Sequence, residues 1–205
     1  MSQYSQWYAN TLRAEGNAIL ALEQSLDHEV MDQIVALLLT MKEKKRRVIF
    51  TGCGTSGTAA QRISHILSCI EVPSVFLSPA DAPHGALGFV QKGDVVVMLA
   101  KGGNTAELIS LIPSVLQKGA TLIGVTNAKD SVLAKKADIC LLLSTGEEPD
   151  EWHLLPCAST LCAIAAFDAI IHTVMRENGF TKEEFLRIHP GGATGEILSK
   201  NLGRG

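Results

Sequence analysis

Hydrophobic residues change their spacing near residue 45 of the 205-residue chain. Before that point, from about Tyr4 to Lys44, apolar residues recur three and four positions apart, as they do on one face of an amphipathic helix. This stretch predicts two helices. The stripe is clearest in the second helix, behind an acidic first turn, at Val30, Ile34, Leu37, Leu38 and Met41.

After residue 45 the apolar residues come in short continuous runs that are rich in β-branched side chains. Continuous runs are typical of strands covered on both faces, as in parallel sheets. Five such runs predict five strands, at residues 47–52, 74–78, 94–100, 121–127 and 139–144. Helical patterns separate or follow them, over Ser56 to Ile70, Asn104 to Lys118, Ser131 to Lys136 and about Ala158 to Glu177.

This alternation predicts an α/β fold. Strands that alternate with helices imply right-handed crossovers and a doubly wound parallel sheet. No linker, repeat or low-complexity stretch interrupts the pattern, so residues 1–205 are expected to form one domain. Within it, residues 1–44 supply the N-terminal helices, which pack on or swap with a partner, and residues 45–205 supply the α/β core.

Composition and charge exclude several classes of function. A net charge of −3 gives no footprint for nucleic acid, and the one basic cluster, 42-KEKKRR-47, is interpreted as a solvated helix end. The N-terminus lacks a signal pattern and no apolar run approaches the length of a membrane span, so no membrane partner is expected. Five cysteines without a C-x-x-C pair favour a reduced, cytoplasmic protein.

Glycine-rich segments follow the first and third predicted strands. The first, 52-GCGTSG-57, has the G-x-G-x-x-G spacing of a dinucleotide-binding turn, which is a weak indication alone. In an NAD site the second strand should end in an acidic residue, but here it ends in Ser78 and Pro79. The dinucleotide interpretation therefore lacks its second anchor.

The second segment, 102-GGNTAE-107, also leads from a strand into a helix. Such a loop presents free backbone N–H groups and a hydroxyl at a helix N-terminus, where anions bind. Two of these loops on adjacent strands favour a shared site for one phosphate monoester. The alternative is that their glycines only form tight turns.

Four motifs in order make the chain similar to a known family. They are G-x-G-x-S-G at 52–57, P-A-D-A-x-H-G-x-L-G at 79–88, G-x-T-x-E at 103–107 and H-P-G-G-A-x-G at 189–195. From about Glu15 to Leu202 the chain resembles the sugar isomerase (SIS) domain family, and most of all its arabinose-5-phosphate isomerase branch, in a form without CBS domains. The resemblance implies a flavodoxin-like five-stranded parallel sheet, homo-oligomers (dimers or tetramers) and binding of phosphorylated sugars.

The resemblance also implies the catalytic residues of an aldose–ketose isomerase. Its active-site carboxylates and histidines match Glu148, Glu107, His84 and His189. Glu148 is predicted to be the base, with its pKa raised by a partly desolvated pocket and by the acidic residues beside it. Glu107 is its orienting partner. The histidines open the sugar ring, and one of them reaches in from a neighbouring subunit.

The predicted phosphate site combines both loops with one lysine. Ser56 and Thr105 match the family's phosphate-binding hydroxyls. Where the branch has a lysine in the first loop this chain has Thr55, but Lys101 leaves the third strand at the same cleft and is expected to replace it, the alternative being a solvated lysine. The full set is Gly54, Thr55, Ser56, Lys101, Gly103, Asn104 and Thr105.

The reaction itself needs no metal or other cofactor, and no histidine pair has ligand spacing. The leading hypothesis is therefore a cytoplasmic sugar-phosphate isomerase that acts through an enediolate. The second hypothesis is a SIS module that senses a sugar phosphate without turning it over, which the departures in the two loops favour. A nucleotide-dependent enzyme keeps only the G-x-G-x-x-G match.

Overall fold

The computed structural model describes residues 2–203 and confirms an α/β fold built on a five-stranded parallel sheet. The strands are β1 (Val48–Gly52), β2 (Ser74–Phe76), β3 (Val95–Leu99), β4 (Thr121–Thr126) and β5 (Ile139–Leu142). The helices are α1 (Gln3–Ser25), α2 (His28–Leu39), α3 (Gly54–Ser68), α4 (Ala106–Gln117), α5 (Val132–Lys136), α6 (Ala158–Glu177), α7 (Lys182–Ile188) and α8 (Gly192–Asn201).

The strand order places the two glycine-rich loops side by side. The order is β2-β1-β3-β4-β5, with every pair parallel, which is the flavodoxin-like arrangement. The winding reverses between β1 and β3, and their register pairs Gly52 with Leu99. The loops that follow these two residues therefore leave the sheet at the same level, where ligands bind in open α/β sheets.

Both faces of the sheet are covered, which explains the continuous apolar runs. Val48 and Phe50 of β1 pack into the layer that contains α1, α2, α3 and α6, whereas Ile49 packs into the layer of α4 and α5. In the first layer the rings of Phe50 and Phe167 meet edge to face with centroids 5.4 Å apart. This contact holds α6 against the sheet.

Helix α6 is the one helix in residues 2–203 that is long and apolar enough to cross a membrane, with a mean hydropathy of 1.6. The expectation that no apolar run reaches this length was therefore wrong for α6. Half of its apolar window is buried inside the protein, and α1, α2 and α3 all pack against it. These contacts are those of a core helix.

The N-terminal and C-terminal segments differ in how they join the core. Helices α1 and α2 pack on α6 of their own chain, and contact with a partner stays a prediction.

The basic cluster 42–47 lies in the turns after α2, where the Arg47 guanidinium binds the carboxylate of the buried Asp94 at 2.9 Å. Helices α7 and α8 pack chiefly on each other, and α7 starts with a capping box between Thr181 and Glu184.

Candidate active site

The first loop, between β1 and α3, is held tight by close backbone contacts. A Cβ on Gly57 would lie 2.6 Å from the carbonyl oxygen of Gly52, so only glycine allows the helix to start this close to the strand. Gly54 begins α3 with a positive φ of 56°. Thr55 is exposed and Ser56 is half-buried. The N-cap residue of α3, Cys53, makes no side-chain capping bond.

The second loop, between β3 and α4, is rigid for a similar reason. Gly103 has a φ of 64°, and a Cβ there would lie 2.1 Å from the hydroxyl oxygen of Ser131. The carbonyl of Lys101 accepts hydrogen bonds from the Thr126 hydroxyl and the Asn127 N–H, both at 2.9 Å. The loop backbone is therefore fixed before any ligand arrives.

Asn104 and Thr105 have different surroundings. The side-chain oxygen of Asn104 accepts the N–H of Val132 at 2.9 Å, so it joins the loop to the start of α5. Its role in the structure is to brace the loop, which the sequence did not suggest. Thr105 is the N-cap residue of α4 and makes no side-chain capping bond. The N-termini of α3 and α4 thus both lack a capping side chain.

Glu107 lies in the first turn of α4 and is exposed. No hydrogen bond or ion pair of its carboxylate appears within residues 2–203. Burial and, to a smaller extent, the charge of Glu107 raise the pKa of the Cys53 thiol in the first loop. Glu107 is therefore available to a ligand held between the loops.

Glu148 is buried against the N-terminus of α6. Its Oε2 accepts the backbone N–H groups of Cys157 at 3.0 Å, Ala158 at 2.8 Å and Ser159 at 3.4 Å. Its Oε1 accepts the hydroxyl of Ser159 and the ammonium of Lys101, the latter at 2.6 Å. The carboxylate therefore caps α6, and the positive end of the helix dipole stabilises its negative charge.

The predicted rise in the pKa of Glu148 was wrong. Burial does raise the pKa of this carboxyl, but the hydrogen bonds and charge of Lys101 and the bonds from Ser159 lower it by more. The net pKa lies below the ordinary value of 4.5. Of the acidic neighbours, Glu147 and Glu151 are exposed and Asp150 accepts backbone N–H groups of its own loop, whereas the ammonium of Lys101 lies beside the Glu148 carboxylate.

Lys101 pairs with Glu148 and lines a cavity that Ser56 of the first loop also lines. Its side chain is 39% exposed, whereas that of Glu148 is 1% exposed. Together with Ser56, Asn127 and Ser159 it lines a cavity of about 30 Å³, room for one or two water molecules. The structure thus brings Lys101, Glu148 and Ser56 to one point of the cleft.

Neither predicted histidine is among the described residues that line this cavity. His84 is exposed in a short 3₁₀ helix, Ala82–His84, beyond the edge strand β2. His189 follows α7 and packs on Phe185 at 4.2 Å between ring centroids. Within residues 2–203 its buried Nδ1 has no hydrogen-bond partner. No bond in the described chain joins either histidine to Glu148, Lys101 or Glu107.

Two residues of the site were missed from the sequence. Ser159 binds Glu148 through both its hydroxyl and its N–H. His153 has a positive φ of 55°, and its Nδ1 lies 2.7 Å from the carbonyl oxygen of Glu148, as an N–H donor would. No sequence pattern indicates either residue, because the capping rule concerns the N-cap residue itself, which here is Cys157, and Glu148 lies 11 positions before Ser159.

Comparisons with known proteins agree with this arrangement. The SIS domain family matches residues 41–173. Arabinose 5-phosphate isomerase KdsD of Pseudomonas aeruginosa is 37% identical over 174 residues, which make up 85% of this chain and 53% of that relative. The chain therefore spans about half the length of the curated relatives it matches.

Two solved structures share the fold over nearly the whole chain. A Listeria monocytogenes protein that is provisionally identified as a sugar-phosphate isomerase superposes with a TM-score of 0.89 and 44% identity, over 93% of this chain and 100% of the other. An Escherichia coli CFT073 protein in complex with arabinose 5-phosphate superposes with a TM-score of 0.86 and 26% identity, over the same shares of the two chains. Because the family match covers more than half of its residues, this protein belongs to the SIS domain family.

Proposed function

We propose that this protein is an aldose–ketose isomerase of a phosphorylated sugar, of the arabinose 5-phosphate type. The observation that carries the proposal is the meeting of two uncapped helix N-termini, those of α3 and α4, with the carboxylates of Glu107 and Glu148 at one edge of the sheet. Similarity to arabinose 5-phosphate isomerases and to a structure in complex with arabinose 5-phosphate supports the choice of substrate.

The two loops form the phosphate site in this proposal. The N-termini of α3 and α4 offer backbone N–H groups and positive dipole ends, and Ser56 and Thr105 add hydroxyls. Gly54, Thr55 and Gly103 belong to the same two loops, and no side chain lies within 4 Å of the place a Cβ would take at Gly54. The cavity beside Lys101 is too small for a sugar, so in this proposal the sugar carbons lie outside it.

Isomerisation then needs one base to move a proton between adjacent carbons and a group that opens the ring. Glu107 and Glu148 are the candidate bases, and His84 and His189 are the candidates for ring opening. Neither histidine lines the cavity beside Lys101 or bonds to the site carboxylates within the described chain, and we infer that a second subunit supplies at least one of them. The active site is therefore shared between subunits of a homo-oligomer.

The surface supports an oligomer. Helix α1 and the loop before α6 expose large apolar side chains, which rarely cluster on a monomeric surface. Trp152 and Leu154 are each 76% exposed. The other members of this apolar surface are Tyr4, Trp7, Tyr8, Leu12 and Leu155. We place the protein in the cytoplasm, where sugar phosphates are made and consumed.

The test uses arabinose 5-phosphate, ribulose 5-phosphate, free arabinose and NAD in a thermal-shift assay, followed by NMR of the sugar in D₂O. Binding to the folded state raises Tm, so we expect both sugar phosphates to raise it, while free arabinose and NAD do not. Interconversion of the two sugar phosphates would establish the enediolate reaction if solvent deuterium enters the product at the carbon that receives the transferred proton. Stabilisation without turnover by any pentose, hexose or heptose phosphate would instead identify a sensor.

A further inference from the structure

We propose that Glu148 is a positioning residue that holds the ammonium of Lys101 in the cleft, and that Lys101 contacts the phosphate of the substrate. The inference rests on the proposed function for the identity of the ligand. It assigns the two carboxylates of the site to different tasks, and it leaves Glu107 as the base.

The lone pairs of Glu148 are all engaged by groups of its own chain. A carboxylate has about four acceptor sites on its two oxygens. Oε2 is engaged by three backbone N–H groups, and Oε1 by the Ser159 hydroxyl and the Lys101 ammonium. A base must turn a free lone pair toward a C–H bond of the substrate. Glu148 would have to break its cap or its ion pair to do so.

The carboxylates of Glu148 and Glu107 also differ in how far a substrate can reach them. The side chain of Glu148 is 1% exposed, so a substrate in the cleft meets Lys101 before it meets the carboxylate. Glu107 differs on both counts, because it is exposed and makes no side-chain bond within residues 2–203. The geometry therefore favours Glu107 for proton transfer.

The ammonium of Lys101 keeps N–H donors that residues 2–203 do not use. An ammonium has three N–H donors. Within residues 2–203 the ammonium of Lys101 donates one hydrogen bond, to Glu148. Its backbone is anchored by Thr126 and Asn127, and it directly precedes the second loop. Ser56 of the first loop lines the same cavity. Two donors thus remain beside both phosphate loops, with their direction set by Glu148.

The test is a double-mutant cycle on the affinity for arabinose 5-phosphate, measured by calorimetry at low ionic strength. Lys101→Met should weaken Kd by about tenfold to a hundredfold, the range for a charge-assisted hydrogen bond, and Lys101→Arg should restore part of it. Glu148→Gln should also weaken Kd, and the double variant should be no weaker than Lys101→Met. Lys129→Met, an exposed lysine after β4, is the matched control and should bind as the wild type does.

Turnover separates positioning from base catalysis. Glu107→Gln should lower kcat by about a hundredfold or more, as loss of a general base does, whereas Glu148→Gln should act mainly through KM. If Glu148→Gln fails to fold, Ser159→Ala replaces it, since it loosens Oε1 and leaves the backbone bonds to Oε2.

Three results would overturn the inference: an unchanged Kd in Lys101→Met, a loss of kcat at unchanged KM in Glu148→Gln, and additive losses of affinity in the double variant. Absence of binding by both arabinose 5-phosphate and inorganic phosphate would overturn it too. Binding without turnover by the wild type would refute the proposed isomerase while the affinity cycle still decides the roles of Lys101 and Glu148.

Discussion

Helices α3, α4 and α6 all begin at the carboxyl edge of the sheet, but their N-termini differ. The N-terminus of α6 is already occupied by an anion from the chain itself, because Glu148 accepts the N–H groups of Cys157, Ala158 and Ser159. The N-termini of α3 and α4 have no capping side chain and are preceded by glycine-rich loops. A helix start attracts an anion in each case.

This difference indicates which helix starts serve structure and which serve the ligand. Where the anion is the side chain of Glu148, it is buried and paired with Lys101. It therefore stabilises the folded protein whether or not a ligand is bound. Where no side chain supplies the anion, the phosphate of a substrate can complete the cap. The comparison therefore makes opposite predictions for the two regions, in stability and in binding.

Removal of the internal cap should have the largest effect. Glu148→Ala leaves three N–H groups and the Ser159 hydroxyl without their acceptor, so we expect the free energy of unfolding to fall by about 2–3 kcal/mol. The ion pair adds little to that figure, because the Lys101 side chain is 39% exposed and solvent screens it. Chemical denaturation measures the change.

The control for this prediction is Glu107→Ala, which removes a carboxylate from the exposed first turn of α4. Its stability should stay within about 0.5 kcal/mol of the wild type, as for most surface changes. Equal losses in the two variants would mean that the N-termini of α4 and α6 do not differ as described.

The second prediction concerns the rigidity of the second loop (residues 102–107), which leads into α4 in the region that faces the ligand. Gly103→Ala forces a side chain into a positive φ and against the hydroxyl of Ser131, so the second loop must shift. We expect a loss of about 1–2 kcal/mol in stability and a clear weakening of sugar-phosphate binding.

Gly102→Ala is its matched control, since a Cβ at that position meets nothing within 4 Å. Stability and the Kd for arabinose 5-phosphate should both remain near the wild-type values. If Gly103→Ala also binds normally, the second loop does not form the phosphate site.

The third prediction concerns pH. The pKa of Glu148 is lowered in the folded protein, from an ordinary value of 4.5, so its contribution to stability is present above that value. This stabilisation is lost as the pH falls through the lowered pKa of the folded state and the carboxylate takes up a proton. Thermal unfolding between about pH 7 and about pH 3 should therefore show a steeper loss for the wild type than for Glu148→Gln. Parallel curves would contradict the assignment of an ionised cap.

Much of the fold could be predicted from the sequence, because it depends on the spacing of apolar residues. The run at Val48–Gly52 and the helix Ala158–Glu177 were predicted to within one residue of their observed bounds. The flavodoxin-like strand order came from the family resemblance and is confirmed. Helices α7 and α8 were not predicted, since they are short, exposed and lack a strong apolar stripe.

The site was less predictable, because its chemistry depends on distances between residues far apart in the chain. The sequence placed Glu148 among acidic residues and so predicted a raised pKa. The fold instead brings it to Lys101, 47 positions away, and to the start of α6. Asn104 was likewise assigned to the ligand, but its side-chain oxygen binds the N–H of Val132.

The smallest predicted effect tests whether the ligand-facing region needs a cation from either loop. Thr55 is exposed at the start of α3, so Thr55→Lys should leave stability within about 0.5 kcal/mol of the wild type. An ammonium there can approach the phosphate of a bound sugar from the side opposite Lys101, since the first and third strands border the same cleft. A lysine acts as a point charge without a fixed geometry. We therefore expect the double variant Thr55→Lys/Lys101→Met to bind arabinose 5-phosphate a few-fold more tightly than Lys101→Met alone, and we expect this gain to shrink at high salt. The measurement is the Kd for arabinose 5-phosphate in the single and double variants at two ionic strengths, with Thr55→Gln as the uncharged control of similar length. Equal recovery by lysine and glutamine would show that side-chain contact, and not charge, limits binding at this edge of the sheet.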